Sequence, residues 1–166
     1  MSADEVEAFI ALGGNVGDVQ STFSRAIALL CDGVEVRLTA RSSDYRTPPW
    51  GVVDQPTFVN AVIEIGTVLS PLGLLDRMKE CERALGRERS RELRWGPRTI
   101  DLDLVAYDEV TLDNADLTLP HPRLFERAFV LVPLAEIAPN LVIAGTKVSD
   151  ALSRVDAGSI EKLPKR

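Results

Sequence analysis

The pattern of apolar residues predicts an α+β fold with a mainly antiparallel sheet, and three observations carry that expectation. Strand-like stretches, a short apolar run at residues 8–12 and alternating ones at 34–45, 58–65 and 100–105, punctuate the chain. Two stretches of helical spacing, at 18–30 and 70–85, set the order strand, helix, strand, strand, helix, strand. More helical sequence follows toward the C-terminal end. The order βαββαβ is the split pattern of a ferredoxin-like core with its helices on one face, here with additional C-terminal helices.

Taken in order, residues 8–12 form an apolar run ended by Gly13-Gly14-Asn15-Val16-Gly17, which reads as a central strand turning into a helix. Asp18 is placed to cap that helix, Val19, Phe23, Ala26, Ile27 and Leu30 recur on one face, and Gly33 supplies the stop. The glycine turn has neither dinucleotide-fold nor P-loop spacing and is a weak phosphate-loop signal. Val34, Val36, Leu38 and Ala40 then alternate with Glu35, Arg37, Thr39 and Arg41, predicting a strand with one covered face that runs on toward Tyr45. Thr47-Pro48-Pro49-Trp50-Gly51 must leave the ladder, because proline lacks the donor and restricts the residue before it. The loop it begins fits a ligand-covering segment.

The strand at 58–65 puts Val59, Ala61, Ile63 and Ile65 on one face and Phe58, Asn60 and Val62 on the other. An aromatic ring beside an amide suits a flat heterocycle, although an asparagine that satisfies a nearby loop gives the same pattern. Ser70 and Pro71 begin the second helix, Leu74, Leu75, Met78, Cys81 and Leu85 form its buried stripe, Glu82 sits in its last turn and Gly86 ends it. An edge strand is expected near 110–112. Leu119-Pro120-His121-Pro122-Arg123 is a turn stiffened by proline around an exposed histidine. Glu126-Arg127-Ala128-Phe129 leads into an apolar helix ending at Pro139, and residues 148–156 read as a short amphipathic helix. The chain is expected to form one domain over 1–166, with 1–7 and 158–166 flexible.

Composition narrows the function. A 166-residue chain with 45% hydrophobic content can build one core, and its net charge of -6 argues against a general nucleic-acid or anionic-membrane surface. The polar, acidic start is no signal peptide and no apolar run reaches membrane-spanning length, so the cytoplasm is the expected compartment. Cys31 and Cys81 share no metal or redox spacing and read as buried free thiols. The single histidine, His121, excludes multi-histidine zinc sites.

Most of the chemistry lies in Arg94-Trp95-Gly96-Pro97-Arg98-Thr99-Ile100-Asp101-Leu102-Asp103-Leu104-Val105. Alternation sends Ile100, Leu102 and Leu104 to the packing face and Asp101 and Asp103 to the other, with Cα atoms roughly 6.6 Å apart. Two neighbouring carboxylates on a half-buried face repel and lose hydration unless a cation or a pair of arginines compensates. A hard divalent ion such as Mg²⁺, completing its shell with water and phosphate, meets that need. Arg87, Arg89, Arg91, Arg94 and Arg98 add a cationic loop within an acidic chain, which either is balanced by Glu88 and Glu92 or receives a small polyanion.

Together, the Arg94 to Asp103 stretch, Tyr45-Arg46-Thr47-Pro48-Pro49, Leu119-Pro120-His121-Pro122-Arg123 and Gln55-Pro56-Thr57-Phe58-Val59-Asn60 resemble the 6-hydroxymethyl-7,8-dihydropterin pyrophosphokinase family of folate biosynthesis, in the family's order over about residues 8–140. The resemblance implies transfer of pyrophosphate from ATP to the hydroxymethyl group of the reduced pterin, releasing AMP. It implies that Asp101 and Asp103 hold two Mg²⁺ ions and act in catalysis with Arg87 and Arg98. It assigns Arg87, Arg89, Arg91, Trp95, Arg98, Leu104, His121 and Arg127 to ATP. Phe58 and Phe129 match the stacking positions for the pterin, Asn60 the amide that reads the ring edge, and Thr47, Pro48 and Trp50 the segment that closes the pocket. The implied partners are two small molecules, ATP and the pterin, with no nucleic acid, membrane or obligate protein partner. A different metal-dependent transferase explains the carboxylates but not Phe58, Asn60 and Phe129. An RNA-binding module is disfavoured by the net charge.

Overall fold

The structure is a computed structural model and describes residues 4–48, 54–87 and 98–165. Strand β1 (Val6–Gly14) is apolar along most of its length because both its faces are covered. Ala8, Ile10 and Leu12 join one core, and Phe9 and Ala11 join another on the opposite side. β1 pairs with β4 (Phe58–Thr67) along one edge and with β5 (Asp101–Tyr107) along the other, both antiparallel.

Two helices close the first face. In α1 (Val19–Leu30) the Asp18 carboxylate accepts the Ser21 N–H, and in α2 (Pro71–Ala84) the Ser70 hydroxyl accepts the Gly73 N–H, as the cap residues predict. Phe23 and Leu30 from α1, and Leu74 and Met78 from α2, bury against Ile63, Ile65, Leu102 and Leu104. A fully buried side chain of this size contributes roughly 1.5–3 kcal/mol.

The expectation of helices on one face is corrected. Helices α3 (Ala128–Ile137) and α4 (Val148–Leu152) cover the other face, where Leu131, Leu134, Val148 and Ala151 pack with Phe9, Val62 and Val105. The central strands carry the signal for this second layer, since a strand apolar on both faces, as β1 is, presents no polar side to water. A bulge at Val105, between the pairs Phe9–Ala106 and Ile10–Leu104, turns both Val105 and Ala106 toward the second core.

The strand expected over 34–45 divides. β2 (Val36–Arg41) and β3 (Tyr45–Thr47) both pair with β4, and between them the Ser42 N–H donates to the Val62 carbonyl while its hydroxyl accepts the Val62 N–H. A bulge at Thr39 breaks the alternation, and Leu38 is 38% exposed rather than covered. The segment expected as a strand near 110–112 begins at Leu112 instead. β6 (Leu112–Asp113) pairs with β7 (Thr118–Leu119) in a separate ribbon, and β8 (Val142–Ile143) pairs with β9 (Thr146–Lys147) in another. The amphipathic helix expected at 148–156 spans only α4. The C-terminal tail returns to the sheet, where β10 (Glu161–Lys162) pairs with β3. The sheet thus runs β10–β3–β4–β1–β5, with β2 also on β4.

Candidate active site

Strand register builds the floor of the site. Tyr45 lies opposite Asn60, Asn60 opposite Gly13, and Gly13 opposite Asp101, so a single row crosses four strands. Ala11 opposite Asp103 and Thr47 opposite Phe58 flank it. Directly opposed residues share a face, and strands lie about 4.8 Å apart, which sets Asn60 and Asp101 about 10 Å apart with only Gly13 between them. The gap depends on that glycine, because a Cβ there would come within 2.9 Å of the Asn60 Oδ1. Its neighbour Gly14 lets β1 pass the chain at Thr99, whose carbonyl oxygen would lie 2.7 Å from an added Cβ. In place of a phosphate loop, the glycine pair therefore provides clearance. Above this floor opens a cavity of about 530 Å³.

One wall is charged. Arg87 Nη1 donates to Asp101 Oδ1 at 2.8 Å and to Glu82 Oε2 at 2.5 Å, and Arg98 Nη1 lies 3.6 Å from Asp101 Oδ2. The same Glu82 oxygen accepts the Leu102 N–H at 2.9 Å, so one buried carboxylate ties α2, Arg87 and β5 together. Burial and the adjacent Asp101 charge push the Asp103 carboxyl up to about 7, with Arg127 opposing. Arg127 itself is half-buried, its guanidinium 5.5 Å from the Phe129 ring centre, and burial lowers its pKa from the ordinary arginine value.

His121 is half-buried where an exposed residue was expected, and its N–H donates to the Val105 carbonyl at 2.9 Å, holding the proline turn beside β5. Burial first, and then Arg127 and Arg123, lower its pKa to about 4, so the ring is neutral at neutral pH. Its Nδ1 accepts the Arg123 N–H at 3.2 Å, which leaves the proton on Nε2. His121 lines the cavity as a neutral donor.

The opposite wall is apolar with one amide. Phe58 and Phe129 line it with Thr47 and Pro48. Asn60 Nδ2 donates to the Thr47 hydroxyl at 2.8 Å, which locks the amide with Oδ1 over Gly13. Asn15 braces the mouth. Its Nδ2 donates to Gln55 Oε1 at 2.8 Å and to the Pro56 carbonyl at 2.9 Å, while its Oδ1 accepts the Arg98 N–H at 3.0 Å.

The fold thus gathers Thr47, Pro48, Phe58, Asn60, Arg87, Arg98, Asp101, Asp103, His121, Arg127 and Phe129 around one cavity. Trp50, Arg89, Arg91 and Trp95 lie outside the described residues. Leu104 does not line the cavity: its side chain is buried with α1 and α2 on the far face of β5, as strand alternation requires. Sequence reasoning saw Glu82 and Asn15 only as local features. An acidic residue on the apolar side of α2 was the one available signal for Glu82. Asp156, Ser159 and Ile160 also line the cavity and carried no signal.

A metal ion has a partial donor set here. Among the described residues no cluster of three or more histidine, cysteine or acidic side chains is arranged around one point. Asp101 and Asp103 supply two carboxylates on one strand face, and the raised Asp103 carboxyl marks negative charge that a cation would relieve. Two carboxylates suit Mg²⁺, which takes its remaining ligands from water and phosphate.

Comparison with known proteins gives the family. The family model described as 7,8-dihydro-6-hydroxymethylpterin-pyrophosphokinase matches residues 9–139. A 2-amino-4-hydroxy-6-hydroxymethyldihydropteridine pyrophosphokinase of Methylorubrum extorquens is 49% identical over 156 residues, covering 94% of this chain and 98% of its own. The Bacillus subtilis protein of the same name is 47% identical over 134 residues, covering 81% and 79%. Among solved structures, Plasmodium falciparum HPPK-DHPS crystallised with pterin and p-hydroxybenzoate superposes with a TM-score of 0.74 at 13% identity, a likeness of fold, covering 95% of this chain and 47% of that longer one. Nearly the whole span of the charged and apolar walls thus falls within the matched region, and this chain belongs to the 7,8-dihydro-6-hydroxymethylpterin-pyrophosphokinase family.

Proposed function

We propose that this protein transfers the pyrophosphoryl group of ATP to the hydroxymethyl group of 6-hydroxymethyl-7,8-dihydropterin, releasing AMP, as a step of folate biosynthesis. The observation that carries the reading is the four-strand row in which Asn60 and Asp101 face one cavity across Gly13. A flat acceptor on Asn60, between Phe58 and Phe129, would direct its hydroxymethyl group toward the arginine-braced carboxylates. The names of the relatives at 47–49% identity support the same reaction.

In this reading the alcohol oxygen attacks the β-phosphorus, the bond from that phosphorus to the α-β bridging oxygen breaks, and AMP leaves. The alcohol proton passes to solvent. Arg87 and Arg98, with Arg127, supply hydrogen bonds and positive charge to the phosphates, and neutral His121 donates from Nε2. Asp101 and Asp103 would hold two Mg²⁺ ions, which when bound neutralise triphosphate charge and ease loss of the alcohol proton. Positioning and charge neutralisation are the main demands of such transfer. Arg89, Arg91 and Trp95 complete the proposed ATP set and Trp50 the acceptor set, by resemblance. The strand order and the helices α1 and α2 on one face support a ferredoxin-like core within a single domain. No helix among the described residues is long and apolar enough to cross a membrane, and Cys31 and Cys81 are free thiols, which supports a cytoplasmic setting.

The test is AMP release from ATP and Mg²⁺ with and without hydroxymethyldihydropterin. Pterin-dependent AMP is the expected result, and its absence from folded protein overturns the reading.

A further inference from the structure

The cavity end remote from Asp101 and Asp103 is lined by a stretch that no motif marks. Asp156, Ser159 and Ile160 reach it beside Thr47 and Phe58. β10 follows directly, with Glu161 opposite Arg46 and Lys162 opposite Tyr45. Continuing this antiparallel register by one residue sets Ile160 opposite Thr47, and Thr47 is in turn opposite Phe58. Residues in such a row share a face, so the Ile160 side chain stands in line with Thr47 and Phe58 on the cavity side of the sheet. β10 and β5 are the two ends of the sheet path, four strand spacings or about 19 Å apart. The cavity therefore spans the sheet from the tail to the carboxylates.

The tail is tied down on two sides. The Leu163 N–H donates to the Asp44 carbonyl at 2.9 Å, and within the tail the Ile160 N–H closes a turn on the Ala157 carbonyl at 3.1 Å. Lys162 Nζ lies 4.0 Å from Glu136 Oε2 on α3, and the Glu136 carboxylate also accepts from the Tyr45 hydroxyl at 2.6 Å and the Ser43 hydroxyl at 2.9 Å. α3 carries Phe129 in its first turn, and β3 pairs with the part of β4 that carries Phe58. The same small network thus links the tail to both elements that present the aromatic pair.

We propose that residues 156–160 form the outer wall of the acceptor pocket, with Ile160 making apolar contact with the edge of the bound ring. The proposal rests on the assignment of the Phe58, Asn60 and Phe129 end to the pterin.

Steady-state kinetics and thermal melting of full-length Ile160→Ala and Ile160→Asp test it. For Ile160→Ala the KM for hydroxymethyldihydropterin should rise about fivefold, the scale expected for trimming one apolar contact, with kcat, the KM for ATP and the melting temperature held. Ile160→Asp should raise the pterin KM further. An unchanged pterin KM in both variants overturns the wall. So does a parallel rise in both KM values with a lowered melting temperature, since that marks a residue serving the fold. Wild-type protein without pterin-dependent turnover would instead refute the underlying reaction, so the two failures are distinguishable.

Discussion

At the β5 end of the cavity, Glu82, Arg87, Arg98 and Asp101 are joined by hydrogen bonds and ion pairs, whereas at the β3 end Phe58 and Phe129 contribute ring surface around one amide fixed by Thr47. The charged end holds its groups in place before a phosphate arrives, so little reorganisation remains for the reaction itself. The apolar end recognises shape and one hydrogen-bonding edge. Substitutions at the first should therefore fall on turnover, and substitutions at the second on acceptor affinity.

Asp103→Ala sharpens that contrast most. It should lower Mg²⁺-dependent turnover by at least about a thousandfold while the protein stays folded. Near-normal rates at saturating Mg²⁺ would remove Asp103 from the reaction. Glu82→Gln comes next, because it leaves Arg87 buried with one charged partner fewer. A loss of about 3–5 kcal/mol in denaturant unfolding is expected, with kcat falling more than either KM changes. A stable Glu82→Gln variant with normal kcat would show that the ionic frame does not position Arg87.

Asn60→Ala probes the other end. Calorimetry should show pterin binding weakened about ten- to a hundredfold and ATP binding nearly unchanged, as for loss of a buried hydrogen-bonding group. Equal losses for both ligands would break the division between the two walls.

The remaining test is in pH. Asp103 is raised in the folded state, so folded protein holds a proton that the unfolded chain has already lost. That contribution is complete below the unfolded carboxyl value of about 4 and disappears as pH rises through the folded value. Without divalent ions, the melting temperature of wild type should therefore drop relative to Asp103→Asn as pH is raised from about 4 to about 7, and level off above that. Parallel curves would mean that Asp103 bears no such strain.

Much of the charged end was legible because its information is local. Asp101 and Asp103 stand two residues apart on a strand, and their common face follows from backbone geometry alone. The same alternation already put Leu104 on the packing face, where its side chain lies. The apolar end was legible only in fragments. Phe58 and Asn60 share a strand face, but Phe129 joins them from α3, and Ile160 from a tail expected to be loose. β2 shows the limit of periodicity: its alternation is clear, yet a bulge and an edge position leave Leu38 exposed.

The sequence by itself determined the helices with their Asp18 and Ser70 caps, the alternation of the central strands and the residue types of both walls. Spacing and capping are set within a few residues, so they can be read without knowing the partner. Only the tertiary structure decided that Gly13 separates Asn60 from Asp101, that Glu82 braces Arg87 and the strand after it, and that the tail pairs with β3 beside Thr47. Each of these depends on which distant segments become neighbours. That choice belongs to the burial of the two cores as a whole, because a register shift of one residue would move every side chain of a strand to the opposite face.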